Sequence, residues 1–287
     1  MSKKLTNKHG LPQPLYSAVE NDSYSRGDSD VSITTLLQPA RISALKDKHE
    51  AEIQEDAMDR MWSLLGQAVH TILERADDGS ELSEERLTVE VSGVKVSGQF
   101  DRFVLGSGTV QDYKLTTAWK IKSGQAPKDH QQQVNCYAWL LRRHGHEVLA
   151  AEIIYILRDW SKREAQRSPD YPQQQVVVIP VPVVEDGAVQ TFLEGRVAAW
   201  KAAKEELPEC TREDRWAKAP KWAVMKPGKK RAIRLLDSGI LAKERAAKEG
   251  SGAYVEFRKG ENVRCESYCS VAPFCLQFKT LKESDSV

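Results

Sequence analysis

Gly98-Gln-Phe-Asp101-Arg102-Phe-Val-Leu-Gly106-Ser-Gly108-Thr-Val-Gln-Asp112-Tyr113-Lys114 reads as two strands joined by a tight turn. The first run, Val89 to Val104, mixes β-branched and polar residues. Gly106-Ser107-Gly108 supplies the turn, because glycine tolerates positive φ. The second run, Thr109 to Leu115, is expected to pair back on the first. Asp112 and Lys114 are two residues apart, so on a strand they point to one face. Asp101, on the partner strand, is placed to share that face.

Two carboxylates converging beside one lysine repel each other, and a divalent cation would offset that repulsion. Mg²⁺ or Mn²⁺ suits oxygen ligands and keeps some of its waters. Such a set is equipped to hydrolyse a phosphodiester, with a metal as Lewis acid, a polarised water as nucleophile and a lysine as orienting and charge-stabilising group. The plainer alternative is a surface hairpin with a solvated Asp/Lys pair.

Around this stretch the composition is that of a folded, soluble-type chain. The 287 residues are 40% apolar and 29% charged, enough for one large domain or one domain with an appendage. No run of about 18 apolar residues predicts a membrane span. The opening Met-Ser-Lys-Lys-Leu-Thr-Asn-Lys lacks the apolar segment of a secretory leader, so a cytoplasmic location is expected. The net charge of +1 conceals an asymmetry: Thr211 to Arg264 carries 15 Lys and Arg against 7 Asp and Glu. A basic C-terminal third suits contact with a polyanion, or a solvated basic face. Cys265, Cys269 and Cys275 cluster near the end, with Cys136 and Cys210 upstream. In a reducing compartment clustered thiolates ligate metals more often than they form disulfides.

Residues 1–30 read as a polar N-terminal arm with one short helical turn near Tyr16 to Glu20. A core follows over 31–207, and a basic, cysteine-bearing region over 208–287. Ser32 or Thr34 caps a short helix that Pro39 ends. Met58 to Ala76 predicts a strong helix with a broad buried face at 58, 61, 62, 64, 65, 68, 69, 72 and 73, and His70 beside it. A polar loop covers Thr116 to Lys128. Asp129 is placed to cap a helix reaching His144, in which Gln133 and Tyr137 form an i, i+4 pair. Strands are expected at Ala150 to Arg158 and at Val176 to Val183, the latter an edge because of Pro180 and Pro182. A loop separates them. Helices are expected at Asp186 to Glu206 and Ile233 to Lys248, an extended piece at Tyr254 to Arg258, and a frayed last dozen residues. Trp216 and Trp222, in the basic segment, are expected in the core, with stacking on bases the alternative.

Gly66-Gln-Ala-Val-His70, Gly98-Gln-Phe-Asp101-Arg102, Asp112-Tyr113-Lys114 and Gln133-Val-Asn-Cys-Tyr137 occur in that order. This series resembles the PD-(D/E)xK nuclease superfamily, in particular its RecB-like exonuclease branch. That branch includes AddB-type and CRISPR-associated spacer-processing nucleases, and the spacing is similar to compact, some of them phage-encoded, members. The resemblance implies an α/β, restriction-endonuclease-like core: a mixed central β-sheet flanked by helices, with the cysteine cluster in a C-terminal region. It implies that His70, Asp101, Asp112 and the Tyr113 carbonyl bind Mg²⁺ or Mn²⁺, that Lys114 is catalytic, and that Gln133 and Tyr137 hold the DNA or the lysine. It further implies a [4Fe–4S] cluster. Cys265, Cys269 and Cys275 match the C-terminal trio, with one extra residue between the first pair. The usual upstream cysteine, before the helical histidine, is missing, and Cys210 is its best substitute. Four thiolates hold Zn²⁺ equally well on ligand count.

The expected activity is metal-dependent DNA hydrolysis by an exonuclease acting on ends or single strands, in recombination, repair or phage DNA metabolism. A helicase or recombinase is the partner such enzymes often have. The alternatives are a catalytically silent DNA-binding or recombination accessory protein on the same fold, and an RNA- or nucleotide-directed hydrolase.

Overall fold

The computed structural model describes residues 4–21, 27–76, 79, 81–250 and 252–284. Packing divides the chain into two units, Met1–Ser43 with Gln54–Glu206, and Ala44–Ile53 with Leu207–Val287.

The first unit opens with β1 (Lys4–Thr6) and α1 (Gln13–Glu20). Then come β2 (Val31–Ser32), α2 (Ile33–Leu36), α3 (Ala40–Lys48) and β3 (Gln54–Asp56). Residues 1–30 are therefore more than an arm. β1 pairs in parallel with β3, and the Asp56 carboxylate accepts from the Thr6 hydroxyl and the Lys8 N–H, each at 2.8 Å. That partner lies some fifty residues on, beyond the reach of local pattern. The helical turn expected at Tyr16 is the second half of α1, which starts earlier because Pro14 suits a first helical turn. Positions 1–3 and 22–26 of the expected arm lie outside the described residues. Ser32 caps α2, its hydroxyl accepting from Thr35 N–H at 3.2 Å.

α4 (Met61–Arg75) corrects a stronger expectation: none of its residues is buried. The core closes without it. That core is built from the strands, α2, α5 (Lys128–Arg143) and α7 (Asp186–Glu205), with Phe100, Val134, Leu140, Leu141, Ile153 and Leu193 fully enclosed. α4 lies outside, with Leu65 and Ile72 exposed.

The run expected as one strand from Val89 to Val104 is broken up. β4 (Leu82–Ser83), β5 (Arg86–Val91), β6 (Val94–Gln99) and β7 (Arg102–Val104) precede β8 (Thr109–Thr116). Ser92 and Gly93 both have positive φ, 49° and 73°, which makes the tight two-residue turn between β5 and β6. β2, β6 and β5 form a three-stranded sheet. The main sheet has the order β10-β9-β8-β7-β4, with β9 (Ala150–Leu157) and β10 (Val176–Val181). It is mixed, because β8 and β9 run parallel while the other neighbours are antiparallel. β10 is an edge, where Pro180 costs no ladder bond.

Two expected loops hold helical turns. Ala118–Ile121 follows β8, and α6 (Lys162–Arg167), capped by Ser161, follows β9. Asp129 is not the cap of α5. Pro127 occupies that position and Asp129 lies in the first turn, where a negative charge favours the helix dipole.

In the second unit β11 (Ala217–Lys218) precedes a sheet of β12 (Lys221–Met225) between β13 (Arg234–Leu236) and β14 (Tyr254–Arg258). α8 (Gly239–Glu249) packs on it through Val224, Ala242 and Ala246. The helix expected from Ile233 starts later, because Ser238 caps it and residues 234–236 pair with β12. Trp216 is 49% exposed and Trp222 only partly buried, so neither is a core tryptophan. β15 (Glu261–Asn262) leads into α9 (Val263–Ser267), and α10 (Leu276–Ser284) replaces the expected frayed end as far as it is described. Within this unit the His49 ring stacks on Phe274, with centroids 4.3 Å apart.

Gly98 explains why the motif around Asp101 opens on glycine. A Cβ there would sit 2.6 Å from Leu140 Cδ1, 2.8 Å from Ile33 Cδ1 and 3.1 Å from Tyr137 Cε1. Gly98→Ala should therefore destabilise the chain by about 1–3 kcal/mol through overpacking. A urea-unfolding midpoint equal to wild type would contradict this.

Candidate active site

β8 carries two of the candidate residues, Asp112 and Lys114. Period two puts Asp112 and Lys114 on one face, and Lys114 Nζ lies 2.6 Å from Asp112 Oδ2. Asp112 is wholly enclosed, and neither of its oxygens has a hydrogen-bond partner of good geometry. β7 pairs with β8 so that Arg102 faces Gln111. This brings Asp101, just before β7, beside Asp112. Asp101 Oδ2 accepts the Tyr113 N–H at 2.6 Å. Arg102 is structural: it pairs with Glu81 and donates to Gln111 Oε1 at 2.9 Å.

α4 supplies His70. Its Nδ1 lies 2.8 Å from Glu84 Oε1 and 3.6 Å from Asp101 Oδ1. Glu84 escapes a sequence reading. It lies fourteen residues from His70, in no motif, and is aimed by a positive φ of 52° that a glutamate rarely adopts. Gln99 Nε2 fixes its other oxygen at 3.0 Å. Among the described residues, His70, Glu84 and Asp101 form a group whose donor atoms all lie within 4.8 Å, a set able to hold a metal ion.

His70, Glu84, Asp101, Tyr113, Lys114 and Tyr137 line one cleft of about 940 Å³, with Asp112 enclosed beneath. Gln133 Nε2 donates to the Tyr137 hydroxyl at 2.7 Å, as the i, i+4 spacing on α5 allows. Tyr155, opposite Lys114 in the β8–β9 register, contacts His130 Nδ1 at 2.9 Å. Burial, aided by the Lys120 charge, lowers the His130 pKa to about 4, so this ring stays neutral.

The electrostatics are those of a site short of positive charge. Burial, then repulsion from Asp112, lifts Asp101 to about 7. Burial also raises Asp112, against the pull of Lys114. Burial alone would lower Lys114, but Asp112 and Asp101 outweigh it, and the ammonium is held more firmly than usual. The hydrogen bond that its ring donates to Glu84 raises His70 despite burial. The buried carboxylate of Asp112 and the oxygen-rich donor set fit a hard divalent cation.

A family model described as the PD-(D/E)XK nuclease superfamily matches residues 26–276. The chain belongs to that superfamily. Among solved structures, SSO0001 is 19% identical, over 64% of this chain and 83% of its own, with a TM-score of 0.44. A phage-related exonuclease from Haemophilus somnus 129PT is 14% identical over 58% and 79%, with a TM-score of 0.38. A candidate exonuclease from Eubacterium rectale is 14% identical over 57% and 62%, with a TM-score of 0.31. No curated protein matches the chain. This PD-(D/E)XK chain is thus a nuclease by family, with the mixed sheet and flanking helices of that fold.

Cys136 belongs to the first unit and the other four cysteines to the second. Burial pushes the Cys136 thiol up to about 12, so it is a packing residue. Burial and the nearby Cys269 and Cys275 raise the Cys265 thiol, which places these three in one neighbourhood. Cys210 N–H and C=O both bond the Gln277 side chain, each at 2.9 Å, two residues beyond Cys275. Among the described residues no helix is long and apolar enough to cross a membrane.

Asp101, Asp112 and His70 all bind protons more tightly folded than unfolded. They stabilise the cation-free fold at low pH, and lose that contribution as pH climbs from their unfolded values through their folded ones. In EDTA the melting temperature should fall between about pH 5 and pH 8. Mn²⁺ should raise it most at the alkaline end, where protons no longer compete for the ligands. Thermal melts across this range would refute the linkage if stability in EDTA rose with pH.

Proposed function

We propose that this nuclease is a metal-dependent DNA exonuclease acting on ends or single strands. The observation that carries the reading is Asp112: a dry carboxylate held against the Lys114 ammonium at 2.6 Å, at the floor of an open cleft. His70, Asp101, Asp112 and the Tyr113 carbonyl would hold Mg²⁺ or Mn²⁺, with Glu84 joining them. The cation would supply Lewis-acid charge at the scissile phosphate. Lys114, kept protonated by its acids, stabilises charge developing on the phosphate oxygens. Asp101 accepts the Tyr113 N–H and so is held on β8 beside the lysine. Gln133 fixes the Tyr137 hydroxyl at the cleft wall.

Lys114→Ala and Asp112→Asn should each lower Mn²⁺-dependent cleavage of end-labelled DNA by roughly 10²–10³-fold or more. Melts taken beside the assay should show both variants folded, with Lys114→Ala melting lower because it leaves Asp112 unpaired. Terminal mononucleotides and an intact circular single strand would mark an exonuclease. Equal cleavage by all three proteins would remove the assignment. Binding without cleavage would favour the silent accessory protein, and preferential RNA cleavage an RNA-directed enzyme. Work in recombination, repair or phage DNA metabolism, beside a helicase or recombinase in the cytoplasm, is the setting that suits such an enzyme.

The second unit would hold a [4Fe–4S] cluster on Cys210, Cys265, Cys269 and Cys275. Four thiolates fit a cubane cluster or a tetrahedral Zn²⁺ on ligand count, and the resemblance of the C-terminal trio favours the cluster. Anaerobically purified protein should be brown and contain iron, and Cys210→Ser should lose both iron and the structure of the second unit. A colourless protein with stoichiometric zinc would overturn this.

A further inference from the structure

α4 shows the cleft one face, Trp62, Gly66, His70 and Glu74, spaced four residues apart. Trp62 lies two turns before His70, about 12 Å along the helix axis. Its indole is 57% exposed, an unusual place for the largest apolar side chain. The Arg158 guanidinium lies over the ring, 3.7 Å from its centroid. A ring with one face covered and this much exposure has its other face open to the cleft and solvent.

Arg158 follows β9, and its backbone N–H donates to Thr116 O at 3.0 Å, on the strand that carries Lys114. The stack is therefore tied to the catalytic strand rather than to a loose loop. Among the described residues no carboxylate pairs with Arg158, so its N–H edges can meet a phosphate. Close by, Ala118 N–H donates to Asp159 Oδ1 at 2.7 Å. The next residue, Trp119, is a second exposed indole, with Lys122 Nζ 5.2 Å from its ring centroid.

An open aromatic face backed by an unpaired cation is what an unstacked nucleobase and its phosphate require. Bases in a closed duplex are already stacked and cannot use it. We propose that Trp62, backed by Arg158, is a base-stacking platform that holds an unpaired nucleotide of single-stranded DNA in the cleft that Lys114 lines and selects single strands over duplex. The proposal rests on the nuclease reading and adds the substrate form. The rest of the apolar side of α4, Leu65 and Ile72, does not line the cleft, so the platform is separate from that bare face.

Fluorescence anisotropy with labelled oligo-dT and with a blunt duplex, in Ca²⁺ to hold back cleavage, tests this. Trp62→Ala should weaken oligo-dT binding about tenfold and leave duplex binding nearly unchanged. Trp62→Phe, which keeps an aromatic face, should recover most of the affinity. Arg158→Ala should also weaken oligo-dT binding. Unchanged oligo-dT affinity in Trp62→Ala overturns the proposal, as does an equal loss on both DNAs. A shift in solution mass with DNA binding intact would assign the indole to a protein contact and overturn it too. Mn²⁺-dependent cleavage by wild type that Lys114→Ala abolishes would leave the nuclease reading standing in each of those cases.

Discussion

A carboxylate taken out of water is among the most unfavourable groups a fold can enclose unless a charge is set against it. Asp112 is such a group, and the Lys114 ammonium at 2.6 Å is its main compensation in the cation-free chain. One ammonium serves two acids, since Asp101 draws on the same charge. The site is left with more negative charge than it can balance. That imbalance accounts for the raised acids and the firmly held lysine proton together, and the Glu84 hydrogen bond adds the upward shift of His70. A cation entering such a site would find most of the ordering cost already met by the sheet.

The sheet meets that cost through register. β7 against β8 sets Asp101 beside Asp112, and β8 parallel to β9 sets Tyr155 beside Lys114. A one-residue slip would turn both acids to the opposite face. Gly98 adds a second constraint. With no side chain, it lets Ile33, Tyr137 and Leu140 close over β6, so the tyrosine at the cleft wall and the strand leading to Asp101 are packed as one body.

What could be read in the sequence was whatever depended on short, regular spacing. Period two gave Asp112 and Lys114 a common face, and the i, i+4 spacing gave Gln133 and Tyr137 their bond. Glu84 was illegible, because its aim comes from an unusual backbone angle and its partner from another element. The pairing of residues 4–6 with 54–56 was hidden for the same reason: it is made across the chain. α4 misled in the other direction. Its apolar period is genuine, but periodicity reports which residues share a face and not whether anything covers it. The core was complete without that helix. Trp62, expected to be buried, is instead at the rim of the cleft.

The second unit is assembled from two pieces of chain separated by more than 150 residues, Ala44–Ile53 and everything from Leu207. At translation rates of about 5–20 residues per second, the first piece leaves the ribosome on the order of ten seconds before its complement. Leu45 and Ile53, both only 3% exposed in the finished protein, spend that interval unsheltered. The strands and helices of the first unit, all synthesised by Glu206, have no such wait. Birth order thus favours a catalytic half that matures early and a cysteine-bearing half that is sealed last.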